Sequence, residues 1–363
     1  MVGVCSRGAA FSSWVQGMSP VDAVLDRITF EAKPDKLTPI PWPAGLAPTN
    51  HGAHAPAEIP QADVLVVTWT AAEGQALADV LTPGHPSSSW RKDTTNWAEF
   101  EPQLTSRSPA RESKCLGVWA VTTIAGKTVV LYKSDLHLST DSTSLPVVQL
   151  WEQLLRAVQP KLVITTGTAG GIGADTQLGD VAVTNGARFN CQQAFKDEPY
   201  AHATYGRGEE NPQPAWAPGE HLLRLGSLLE ANADRLKPIA SRVPVVRLAL
   251  EKPGVETVDY FGFADTDDSY GIVKDDADAL TEEMDDATLP LALQKIWEAY
   301  GNPLGHTPWL SIRNASDPQV ASSIGDLEAQ KKWASGVYAK YGYWTTVGSA
   351  IACWAVIADM EGA

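Results

Sequence analysis

The chain has 363 residues, 44% hydrophobic and 20% charged, with 29 Gly and 25 Pro, which argues against a disordered, collagen-like or coiled-coil protein and allows a sizeable core. Acidic residues (43) outnumber Lys and Arg (28) for a formal charge of −15, so the mean field repels phosphate backbones and anionic lipid, and neither nucleic acid nor a membrane is an expected partner. The four cysteines, Cys5, Cys115, Cys191 and Cys353, lack CxxC spacing, which argues against a zinc knuckle or disulfide framework and fits a reducing compartment.

In chain order, residues 1 to 60 read as an irregular arm, because Lys33 to Pro60 carries seven prolines and no helical or strand periodicity. His51 and His54 in that arm lack a third ligand, so no metal is expected. Residues 61 to 363 read as one α/β domain with a polar, Trp-containing insertion at about 83 to 114. Ala62 to Trp69 is an apolar, β-branched run, the pattern of a strand buried on both faces. Gly117 to Ile124 and Lys127 to Tyr132 predict a hairpin turning at Ala125-Gly126. A helix over Leu145 to Val158 and a strand over Lys161 to Thr166 follow, then strands at Leu178 to Thr184 and Val243 to Leu248. Helices are expected at His221 to Leu236 and Ala287 to Tyr300, a strand at Trp309 to Arg313, and two closing helices at Leu327 to Tyr341 and Thr345 to Ala358. The alternation predicts a three-layer α/β/α sandwich around a central mixed sheet. Val347 to Ala358 is too short to span a bilayer and Met1 to Pro20 lacks a signal-like apolar core, so a cytoplasmic protein is expected. Thirteen tryptophans are many for this length, and Trp14, Trp42, Trp90 and Trp97 lie in the arm and the insertion, which are therefore expected to pack on the core or a neighbouring subunit.

The sharpest local feature is Thr165 to Gly173, TTGTAGGIG, at the end of a predicted buried strand. Glycines there permit close backbone approach and positive φ, and strand carboxyl ends are where open α/β sheets bind ligands. The spacing fits neither GxGxxG nor GxxxxGK[ST], which argues against dinucleotide and Walker-type sites and leaves a pocket floor or a simple tight turn.

TTGTAGG followed by LGDVAVTNGARF (Leu178 to Phe189) resembles the nucleoside phosphorylase/nucleosidase superfamily, and VVTWTAAEGQAL, TVDYF at 257 to 261, Glu283-Met284-Asp285 and Arg313-Asn314-Ala315-Ser316-Asp317 match in the same order. The resemblance covers about residues 62 to 345 and implies a phosphorylase-like catalytic domain that cleaves an N-glycosidic bond without a cofactor. It implies that Asp317, oriented by Ser316, protonates the leaving purine, although Ser-Asp-Pro is also a helix start. It implies that Met284 and Asp285 hold the ribose, with Asp one methylene shorter than the family's Glu; a solvated acidic helix start is the alternative. Phe261 matches the position that stacks on the base, Gly262 offers it backbone hydrogen bonds, and Thr168, Ala169 and Gly170 line the turn.

The nucleophile separates the branches of the superfamily. Thr68-Trp69-Thr70 and Thr165-Thr166 replace the phosphate-binding turn and arginine that the phosphorylases carry. Glu73 falls where the hydrolytic branch, the methylthioadenosine/S-adenosylhomocysteine nucleosidase type, has its water-activating glutamate, and Thr168 and Arg313 match water-site positions. Glu73 also reads as a first-turn helix acid. His137, in a loop that departs from the family pattern, is a candidate for the 5′ side of the ribose. The acidic stretch Ala264 to Asp286 reads as a lid or a solvated face. The resemblance therefore implies a nucleosidase acting on a small-molecule nucleoside, and by family habit a homodimer. A phosphorylase and a non-catalytic nucleoside sensor are the alternatives, and Met360-Glu361 is a rival Met-Glu match, disfavoured by its position.

Overall fold

The computed structural model describes residues 37–52, 56–137, 146–172, 176–184, 186–190, 204–205, 220–223, 225, 228, 246–249, 255–258, 279–301, 303–318 and 327–360. Its strands are β1 (Thr49–Asn50), β2 (Val64–Thr68), β3 (Arg91–Asp93), β4 (Gly117–Ile124), β5 (Lys127–Ser134), β6 (Leu162–Gly171), β7 (Val181–Thr184), β8 (Ala187–Asn190), β9 (Thr204–Tyr205), β10 (Val246–Ala249), β11 (Val255–Val258), β12 (Thr281–Glu283) and β13 (Trp309–Pro318). They form one mixed sheet in the order β1-β4-β5-β2-β6-β12-β11-β8-β9, with β13 on β6 and β7, β10 on β7 and β3 on β4. The central strands β5, β2, β6 and β13 run parallel, so their carboxyl ends lie at one edge. The β4–β5 hairpin turns on Ala125 and Gly126 with φ of 48° and 80°, the doubly positive geometry whose twist matches that of its strands.

Among the described residues four longer helices flank the sheet: α1 (Ala71–Leu81), α2 (Val147–Val158), α3 (Thr288–Tyr300) and α4 (Leu327–Asp359). Alternation along β2 assigns the layers. Leu65 and Val67 pack with Trp151 and Leu154 of α2 and Leu289 and Ile296 of α3. Val64 and Val66 pack with Leu77 and Leu81 of α1 and Ile351 and Trp354 of α4. This is the three-layer α/β/α sandwich around a mixed sheet. In the arm, Leu37, Ile40, Trp42 and Leu46 pack on the α1/α4 layer, and the Trp354 indole donates to the Leu46 carbonyl at 2.7 Å. The insertion contributes β3 and short helices at Trp97–Phe100 and Pro109–Ser113, and buries Trp90 and Phe100.

Four sequence expectations change. The run Thr165 to Gly171 is not a turn: β6 continues through it, because β13 pairs with it along its whole length and β12 joins the other edge at Gly170 and Gly171. The two closing helices are one, α4, which runs through Gly342; the hydroxyls of Thr345 and Thr346 donate to the Gly342 carbonyl inside it. Glu283-Met284-Asp285 does not open a helix, since β12 ends at Glu283 and α3 begins at Thr288. The described part of the acidic stretch is not a solvated face either. Glu282, Glu283, Asp285 and Asp286 are all buried, because antiparallel pairing on β6 draws the segment into the sheet.

Candidate active site

On one edge of β6, pairing with β2 ends at Val67–Thr165 and pairing with β12 begins at Gly170–Glu282. Among the described residues no strand lies beside Thr166 to Ala169 on that edge, so backbone donors there need other partners. Glu73 supplies the partner for Thr168. Its Oε1 accepts from the Thr168 N–H at 2.8 Å and the Thr168 hydroxyl at 2.6 Å. Its Oε2 accepts from the Thr68 hydroxyl at 2.8 Å and from the backbone N–H groups of Trp69 at 2.9 Å and Thr70 at 2.8 Å.

The Thr70 contact also forms a capping box with the Thr70 hydroxyl, which starts α1. The helix-acid reading of Glu73 is thus realised on one side of the carboxylate, while the other side binds Thr168. Burial would raise the pKa of Glu73, but the donors at Thr168 and Thr70 and the positive charge of Arg313 outweigh it and hold the group below the usual glutamate value. Gly167 makes this approach possible: its φ is 144°, and an added Cβ would lie 2.5 Å from Glu73 Oε1.

Arg313, from β13, is 2% exposed and crosses the same region. Its Nε and Nη2 both bond to Asp286, the former at 3.3 Å, and Nη2 is 3.0 Å from Glu283 Oε2. Nη1 points at the Thr168 carbonyl at 3.5 Å, and the Trp69 ring centre lies 5.0 Å from the guanidinium carbon. Burial works against the charge on Arg313, but Asp286 and Glu283 more than compensate and raise its pKa. Glu283 responds in the opposite sense. Burial, and then repulsion from Asp286 and Asp285 against the pull of Arg313, push its pKa well above the usual range.

Met284 and Asp285 occupy the bend between β12 and α3, both buried. Glu283 holds the bend by accepting from the N–H groups of Asp285 at 2.6 Å and Asp286 at 3.1 Å. The Thr288 hydroxyl donates to the Asp285 carbonyl and accepts from the Trp151 indole, both at 2.8 Å, tying the bend to the α2 layer. His137 Nε2 lies 3.2 Å from Asp285 Oδ2, so the loop after β5 and the bend after β12 meet here. On the far edge of β6, the Ser316 hydroxyl donates to the Ala169 carbonyl at 3.3 Å, and the Asp317 backbone is in register with Gly170 past a bulge at Ala315. Glu282, Gly170 and Asp317 therefore share one cross-strand line.

Of the sequence candidates, Glu73, Thr168 and Arg313 are brought into contact, Met284, Asp285 and His137 form a second group joined to the first through Glu283, and Ala169, Gly170 and Ser316 lie on the paired strands β6 and β13. Phe261 and Gly262 lie outside the described residues, as does the side chain of Asp317. The rival Met360 packs against the α1/α4 layer, across the sheet from Met284 in the α2/α3 layer. Sequence reading missed Asp286, Glu283 and Ser311 as site residues. The available signal was that four acids directly precede the apolar run Leu289 to Leu293, which leaves little room for a solvated face. Among the described residues, no group of three or more His, Cys, Asp or Glu is arranged to hold a metal ion, and no helix is long and apolar enough to cross a membrane.

Over 75 residues the chain is 40% identical to the 5′-methylthioadenosine/S-adenosylhomocysteine nucleosidase of Chromohalobacter salexigens. Over that stretch its sequence is similar to a nucleosidase. The matched stretch takes in 20% of this chain and 29% of that relative's length. No protein-family model matches. Among solved structures it is similar to the 5′-methylthioadenosine/S-adenosylhomocysteine nucleosidase of Neisseria meningitidis, with 16% identity, 82% of this chain and 100% of the other covered, and a TM-score of 0.44. It is also similar to the futalosine hydrolase of Helicobacter pylori, with 13% identity, coverages of 83% and 99%, and a TM-score of 0.43.

Proposed function

We propose that the protein is a nucleosidase that hydrolyses the N-glycosidic bond of a purine nucleoside, of the adenosine or 5′-substituted adenosine type. What most supports hydrolysis over phosphorolysis is the state of Arg313: its guanidinium is already bonded to Asp286 and Glu283, and Glu73 adds a further negative charge beside it. A phosphate dianion entering there meets net repulsion, whereas water does not.

In this reading the C1′–N bond breaks with its electron pair passing to the base, which takes a proton from Asp317. The ribosyl group becomes oxocarbenium-like. Water held by Thr168, Arg313 and Glu73 attacks C1′, and its proton leaves last. Five donors and Arg313 make Glu73 a weak base, so its charge first stabilises the cation and the proton transfer is late, when the attached water has become strongly acidic. Asp285, with His137 beside it, holds the ribose hydroxyls, Met284 packs beneath the ring, and Phe261 and Gly262 take the base. Ser316, Ala169 and Gly170 shape the floor. No cofactor is needed, and a cytoplasmic homodimer accompanies the reading.

The test is base release over a panel of purine nucleosides, with and without phosphate, for the wild type and Asp317→Asn. Phosphate-independent release that falls in the variant while nucleoside binding persists is the expected result. Release that requires phosphate would establish the phosphorylase, and tight binding with no release by either form would establish a sensor.

A further inference from the structure

Asp286 is fully buried and accepts from the Ser311 hydroxyl at 2.6 Å and from both Nε and Nη2 of Arg313. This two-pronged contact uses the face of a guanidinium that otherwise binds phosphate or another tetrahedral oxyanion. The rest of the group is also committed, with Nη2 shared with Glu283 and Nη1 facing the Thr168 carbonyl. Nothing in the capping of α3 requires Asp286, because Glu283 and Thr288 already secure the bend.

We propose that Asp286 is a specificity-determining residue that keeps oxyanions from Arg313: its carboxylate occupies the guanidinium fork and cancels the charge that would draw phosphate to the site. The proposal deepens the nucleosidase reading by naming what makes the site blind to phosphate. Glu283 is the reserve. Its Oε2 already lies 3.0 Å from Nη2, and repulsion from Asp286 is one of the causes that raise its pKa, so removing the Asp286 charge leaves a second carboxyl on the guanidinium that partly replaces it. Asp286→Asn alone therefore opens the site in part, and Asp286→Asn with Glu283→Gln opens it fully.

The experiment follows thermal unfolding of the full chain against inorganic phosphate, with chloride at matched ionic strength as control. The wild type and the conservative Asp286→Glu are expected to show no saturable rise in Tm beyond the control. The double variant is expected to show one, with phosphate bound about tenfold or more tightly than by the wild type, the equivalent of a gained charge-assisted hydrogen bond, and Asp286→Asn to lie between. Saturable stabilisation of the wild type, or a folded double variant as blind to phosphate as the wild type, overturns the proposal. Should the double variant not fold, Asp286→Asn and the wild type decide it by the same readings. Base release, assayed separately on the same preparations, keeps the two claims apart: a wild type that releases no base but follows this anion pattern sinks the nucleosidase reading and leaves the role of Asp286 standing.

Discussion

Glu73→Gln is the usual isosteric probe of a catalytic carboxylate, but here it is a stability mutation as well. All five contacts to the two oxygens come from donors, and a Gln amide presents an acceptor on one side only. Its better orientation keeps the oxygen toward Thr68, Trp69 and Thr70 and turns the NH2 toward Thr168. The Thr168 hydroxyl can rotate to accept; the Thr168 N–H cannot and is left facing another donor. One buried backbone N–H without a partner costs about 1–3 kcal/mol, and replacing charge-assisted bonds by neutral ones costs about 1 kcal/mol more, so a loss of roughly 2–4 kcal/mol is expected at neutral pH. The difference depends on pH with a defined sign. The folded pKa of Glu73 lies below its unfolded value of about 4.3, so its stabilisation is fully present above that value and disappears as pH falls through the folded pKa. Urea unfolding of both proteins at neutral and acidic pH measures this, and the two curves should converge on the acid side. A Gln variant within about 0.5 kcal/mol of wild type at neutral pH would refute the hydrogen-bond accounting.

Gly167→Ala should perturb the same junction from the other side: the positive φ costs about 1–3 kcal/mol, and the new Cβ, 2.5 Å from Glu73 Oε1, must displace the carboxylate, lowering both Tm and base release. Cys115 and Cys353 are free and buried, with burial raising the first thiol and pushing the second up to about 12. Peptide mapping after alkylation of the native protein at pH 8 should find both unmodified, and labelling of Cys353 would contradict its place in the α4 core. Trp354→Phe removes the indole bond to Leu46 and weakens the ring contact with Trp42. A cost of about 1 kcal/mol and faster proteolysis within residues 37–52 are expected.

Much of the scaffold was legible along the chain. Val64 to Thr68, Gly117 to Ile124, Val147 to Val158 and Thr288 to Tyr300 carry their own periodicity, and Ala125-Gly126 its own turn chemistry, because strand and helix patterning is local. Residues that resemble a known site also named Glu73, Thr168 and Arg313, which the fold brings together. What the one-dimensional pattern lacks is the second partner of each element. Thr165 to Gly171 reads as a turn until β13, more than a hundred residues later, pairs along it and keeps it in the sheet. The acids at Glu282 to Asp286 read as a solvated run until β12 joins β6 and sets them around Arg313. A charge cluster in sequence looks the same whether it faces water or a buried guanidinium; only non-local pairing supplies the countercharge, and with it the partners of each carboxyl.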